Sequence, residues 1–106
     1  MAAEVAFRKS LAVRPNDART MLGLASVLAD RGKLVEADSL LDRVEKADPK
    51  ENMVPFHRAE ILMQRGRYNE AIATFQKAQS QGVDENAVRD KIKECKDALA
   101  RQKLPD

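Results

Sequence analysis

The sequence has no tryptophan, one tyrosine and three phenylalanines, so large rings cannot be what fills its core. β-Branched and aromatic residues are few, while Ala and Leu are plentiful. That balance disfavours pleated sheet and favours helices whose seams are packed by small residues. A single cysteine, Cys95, excludes an internal disulfide and fits a reducing, cytoplasmic setting. No apolar run approaches the roughly 20 residues that a membrane span needs, and Met1-Ala2-Ala3-Glu4 does not read as a signal peptide. One-sided charge is also missing. Nineteen basic residues are interleaved with seventeen acidic ones, whereas nucleic-acid binders gather Lys and Arg on one face. In the tail, Lys93 and Asp97, and Asp97 and Arg101, are spaced as opposite-charge pairs one helical turn apart. Neither a nucleic-acid partner nor a membrane partner is expected.

The materials of catalysis are equally scarce. His57 is the only histidine and Cys95 the only cysteine, and nothing beside either one supplies the orienting group that a His–Cys dyad needs. There is no phosphate loop and no metal-ligand spacing, so no enzyme and no cofactor are expected.

What the chain does have is a sentence written twice. LADRGKLVEADSLL runs from Leu28 to Leu41 and LMQRGRYNEAIATF from Leu62 to Phe75, an offset of 34 residues. At that offset Ala25 meets Ala59, Gly32 meets Gly66, Glu36 meets Glu70 and Ala37 meets Ala71. Leu34 meets Tyr68, and Leu41 meets Phe75. Moving back from Pro49 by the same step lands on Pro15, with Ala3 and Phe7 under Ala37 and Leu41, so the chain opens halfway through an earlier copy. A fixed period of this kind is the mark of a repeat architecture.

Each copy reads as two helices. Met21, Leu24, Ala25 and Leu28 step by threes and fours, and Gly32 interrupts where a chain leaving a helix often turns left-handed. Leu34, Ala37, Leu40, Leu41 and Val44 resume the period until Asp48-Pro49 stops it. The second copy follows suit, with Pro55 in the first turn of its helix, where proline is tolerated. Glu36 and Glu70 open second helices, where a carboxylate suits the dipole. In the tail, Asp84 can cap a last helix whose apolar stripe is Val88, Ile92, Cys95 and Leu99. Such a helix suits the covering of a stack's final apolar surface.

A 34-residue helix-turn-helix unit with small residues at the crossings, a central Gly and a terminal Pro resembles the tetratricopeptide repeat. The resemblance implies an all-α fold, an α-solenoid of antiparallel helix hairpins wound as a right-handed superhelix, with about six helices. One domain is expected over 1–106: residues 2–15 as the second helix of a truncated repeat, 18–49 and 52–82 as full repeats, and 84–104 as a capping helix. The chain is expected to be a fragment of a longer protein. Departures from the family pattern are Met21 and Pro55 at the aromatic slot, Arg58 for Leu, Asp38 after Glu-Ala, and Val83 for the last Pro.

The resemblance further implies a non-catalytic module that binds a peptide or partner helix on a concave wall made by first helices. The family's groove slots fall on Arg19, Leu22, Ser26 and Ala29 in one repeat, and on Met53, Phe56, Glu60 and Met63 in the next, with His57 beside them. Alternatively, Met53, Phe56 and Met63 pack internally. Two further readings stay open. One is a segment that self-associates through its N-terminal helix, where Val5 and Phe7 would lack a partner. The other is the repeat part of a co-chaperone, although the Lys, Asn and Arg that grip a carboxylate in that branch are Met53, Gly23 and His57 here. Without those donors, carboxylate capture loses its charge-assisted bonds.

Overall fold

The computed structural model describes residues 2–102. Among them are six α-helices and no strand: α1 (Ala2–Val13), α2 (Ala18–Asp30), α3 (Leu34–Ala47), α4 (Met53–Gln64), α5 (Tyr68–Ser80) and α6 (Glu85–Gln102). The helical periodicity predicts this composition. Residues 103 and 104, the end of the expected capping helix, lie outside the described residues.

Two compact units divide the chain, Met1–Val54 and Pro55–Asp106. In the first, α2 packs against both α1 and α3. Its core is Met21, Leu24, Ala25 and Leu28 from α2 with Ala37, Leu40, Leu41 and Val44 from α3, all buried. Ala25 and Ala37 are buried at 1% and 0% exposure, which lets the helix axes approach while larger neighbours interlock over them.

In the second unit, α5 packs on α6. Ala71, Phe75 and Ala78 of α5 are fully buried, as are Val88 and Cys95 of α6. Asp84 accepts a hydrogen bond from the Ala87 amide at 3.2 Å, the cap expected at this helix start. The ion pairs that α6 forms within itself are Arg89–Glu85 at 3.0 Å and Lys91–Glu94 at 3.8 Å. Lys93–Asp97 and Asp97–Arg101 are not formed: in exposed positions such pairs gain too little to hold two long side chains in register.

One device closes three helices. Gly32, Gly66 and Gly82 all have positive φ, at 79°, 77° and 106°. At the first, the Gly32 amide donates to the Ala29 carbonyl and the Lys33 amide to Leu28, both at 2.9 Å. The same pair recurs as Gly66 to Met63 with Arg67 to Leu62, and as Gly82 to Gln79 with Val83 to Ala78. These are Schellman motifs, which satisfy the orphan carbonyls at a helix end and favour an apolar residue after the glycine. Val83 is buried in that place, which explains why a valine stands where the repeat pattern has proline.

An apolar contact and a cluster of ion pairs dock α1. The Phe7 ring lies over Gly23 of α2, so close that a β-carbon there would sit 2.6 Å from Phe7 Cζ. Beside it, Glu4 accepts from Arg8 at 3.0 Å and also from Arg31, with Lys33 Nζ at 3.8 Å. Arg8 continues to Glu36 on α3 at 2.5 Å. The Arg8 hydrogen bond, aided by Lys33 and Arg31, outweighs desolvation and holds the Glu4 carboxyl below its ordinary pKa. Val5, on the same helix, stays 49% exposed.

Candidate functional site

The first helix of each repeat has one face in the core and one that is left over. On α2 the buried set is Met21, Leu24, Ala25, Leu28 and Ala29. Arg19 is exposed, and Leu22 and Ser26 are half-buried. The spacing of Arg19, Leu22 and Ser26 puts them on one side of the helix. Ala29, expected to join them, is 7% exposed and belongs to the core.

On α4 the core side is Val54, Phe56, Ala59 and Ile61. Phe56 is therefore a correction to the expected groove. It is 8% exposed, and its ring meets Phe75 of α5 edge-on at a centroid distance of 5.3 Å. The reason is physical: in a chain with three phenylalanines and no tryptophan, an edge-to-face pair between α4 and α5 fills volume that small residues leave open. Met53, His57, Glu60 and Met63 are half-buried, on a second face at steps of four, three and three. Both thioethers thus keep part of their surface available, and methionine adapts to irregular partners.

A polar knot sits in the middle of this face. His57 Nδ1 lies 2.9 Å from Glu60 Oε1, and Lys91 Nζ on α6 lies 3.4 Å from Glu60 Oε2. An ionised carboxylate only accepts, so Nδ1 carries the proton and Nε2 is left for another bond. Burial pushes the Glu60 pKa up, but His57 and Lys91 outweigh it and hold the carboxyl below its ordinary value. The Phe56 and His57 rings meet edge-on, with centroids 5.9 Å apart and planes at 82°.

Lys91 and Glu94 were not singled out in the sequence, yet the signal existed. Advancing His57 and Glu60 by the repeat step of 34 gives positions 91 and 94, and the same step carries the buried Val54 and Ile61 to the buried Val88 and Cys95, so α6 continues polar and apolar slots of α4. Burial raises the Cys95 thiol pKa. No group of three or more His, Cys, Asp or Glu among the described residues is placed to hold a metal. No helix among them is long and apolar enough to cross a membrane.

Two family models described as Tetratricopeptide repeat match the chain, one over residues 2–54 and one over 36–86. The chain belongs to the tetratricopeptide repeat family, whose repeats form all-α solenoids, mediate protein–protein interaction and are typically non-catalytic scaffolds. No curated protein matches it.

Proposed function

We propose that this chain is a non-catalytic interaction module that takes a peptide or partner helix on the first-helix faces of its repeats. Arg19, Leu22 and Ser26 contact the partner on α2, and Met53, His57, Glu60 and Met63 on α4. The observation that carries this reading is the division of α4. Phe56 and its core neighbours anchor the helix, while a second line of four side chains, two of them methionines, is left half-buried with a polar knot at its centre. Such a mixture of adaptable apolar surface and fixed polar groups suits recognition of a peptide.

The test is selection of peptides from a displayed library, followed by mapping of amide chemical shifts on the labelled protein. Shifts centred on Met53, His57 and Met63, and loss of binding in Met63→Glu with the fold retained, are expected. Shifts confined to the outer side of α5 or α6, or no selected peptide at all, would remove the reading.

Self-association through α1 is a second reading, favoured by one observation: Val5 is 49% exposed on a helix that packs mainly on α2. Sedimentation at micromolar concentration distinguishes it, a dimer that Val5→Asp dissolves being the expected result. For a co-chaperone role nothing comparable speaks. The slot of the missing Asn, Gly23, is closed by the Phe7 ring, so that donor could not be restored without displacing α1.

A further inference from the structure

A different surface of the first unit has the features of a docking cleft. Between α1 and α3, with α2 as its floor, lies a cavity of about 290 Å³ lined at its base by Leu11, Leu24 and Leu40. Its rim carries Arg8, Glu36, Ser39 and Arg43. Arg43 also lines a second cavity of about 410 Å³ with Asn16, Lys46 and Ala47, so the two share that residue.

The two ends differ electrically. At the α1 end, Arg8 and Glu36 neutralise one another at 2.5 Å. At the far end the cations are uncompensated. Arg43 donates one bond, to the Pro15 carbonyl at 2.7 Å, and meets no carboxylate among the described residues. Lys46 makes no hydrogen bond or ion pair among them. A guanidinium has five N–H donors, so Arg43 retains most of its fork for a carboxylate. The anions nearest in sequence, Asp42 and Glu45, line neither cavity and have other interactions.

We infer that this cleft docks an acidic peptide segment of a partner protein, with an aliphatic side chain on Leu11, Leu24 and Leu40 and carboxylates on Arg43 and Lys46. Charge complementarity selects the acidic partner: a guanidinium without a carboxylate and an unpaired ammonium at one end favour anions, and the neutralised opposite end does not repel them. The leucine floor selects an aliphatic residue over a polar one. Size selects a peptide over a compact metabolite. From Glu36 to Ala47 the rim follows α3 for roughly 16 Å, which holds about five residues of extended chain.

The probe is a fluorescein-labelled peptide, acetyl-Leu-Leu-Asp-Glu-Asp, titrated with the whole chain and read by anisotropy at low salt. Saturable binding is expected, with amide shifts at Leu11, Ser39, Arg43 and Lys46. Lys46→Glu, which breaks no side-chain hydrogen bond or ion pair, should weaken it about fivefold, the scale of a surface ion pair. Arg43→Glu with Lys46→Glu should weaken it at least about tenfold. If loss of the Pro15 bond unfolds the double variant, Lys46→Glu alone decides. Replacement of the two leucines by serine should also weaken binding, as should replacement of the three acids by lysine. The inference is overturned by no binding at millimolar peptide, by equal binding of the serine peptide, by indifference to Lys46→Glu, or by shifts on the α2 and α4 faces instead.

Discussion

Gly23 lies inside a helix, where glycine costs about 1 kcal/mol relative to alanine. Taken alone, that predicts a stabilising Gly23→Ala. The packing predicts the opposite. The added β-carbon would stand 2.6 Å from Phe7 Cζ and 2.7 Å from Cε1, well inside any contact distance. Relief requires the ring, and with it α1, to lift from α2. Overpacking of this sort costs about 1–3 kcal/mol, so the net effect of Gly23→Ala is a loss of about 1 kcal/mol. Removing the ring reverses the sign. In a Phe7→Ala background the three atoms nearest the β-carbon are gone, and the propensity gain of about 1 kcal/mol should appear. Phe7→Ala itself should cost less than the roughly 3–5 kcal/mol of a fully buried phenylalanine, because Phe7 is only half-buried. Urea denaturation followed by far-UV circular dichroism on the four variants measures the cycle, and the expected coupling is about 2 kcal/mol. Hydrogen exchange in α1 and α2 locates it. A stabilising Gly23→Ala in the native background, or a coupling near zero, would mean that Phe7 does not sit on Gly23 and that α1 is docked by some other contact.

Three further outcomes follow from the same contacts. Ala71 is fully buried in the hairpin, so Ala71→Leu should cost about 1–3 kcal/mol in a thermal melt, and an unchanged melt would break the assigned repeat register. Gly66 has φ of 77° and nothing within 4 Å of an added β-carbon, so Gly66→Ala should cost about 1 kcal/mol from backbone strain alone, with helical content by circular dichroism unchanged. Glu4, whose folded pKa is lowered first by the Arg8 hydrogen bond, stabilises α1 above the ordinary carboxylate range, and this contribution disappears as pH falls through the lowered value. Amide protection in α1 should therefore decline in acid before that of α5, and Glu4→Gln should already lack that protection at neutral pH; equal acid sensitivity of α1 in both proteins would remove the role of Glu4.

The helices were legible because their signals are local and were written twice. Apolar steps of three and four, Gly32 and Gly66 at the ends, and Pro49 after the second helix each act within a few residues of where they stand. Gly82 was harder to read. It performs the same closure as the other two, but at the end of a second helix, where the first copy has Asp48-Pro49, so with Val83 in the slot of Pro49 the pattern looked broken when only its chemistry had been exchanged. Phe56 went astray for a related reason. Its slot marks the groove in the family, but a slot states which way a side chain points only when the neighbouring helix leaves that direction open, and here Phe75 occupies it. Of the Glu4 hub only the Arg8 pair, one helical turn along, had a local signal, since the partners Arg31 and Lys33 lie about thirty residues along and become neighbours only when α1 folds onto α2.

The tail shows the limit from the other side. Of its buried residues Val88, Cys95 and Ala98, the first two stand one step of 34 after Val54 and Ile61 of the α4 core, while Ala98 falls on the slot of the exposed Gln64. Its polar residues keep the step of 34 as well, and Lys91 meets Glu60 across the two helices. Apolar slots are set by what a helix must cover, and the last helix of a unit covers only one neighbour. Polar slots on the free face answer to a different constraint, the charge they present to each other and to a partner. In α6 the two periodicities travel together through Val88, Lys91, Glu94 and Cys95, and the helix departs from the α4 core where Phe56 and Ala59 are matched by the exposed Asp90 and Lys93, a side that has no further helix of the unit to cover.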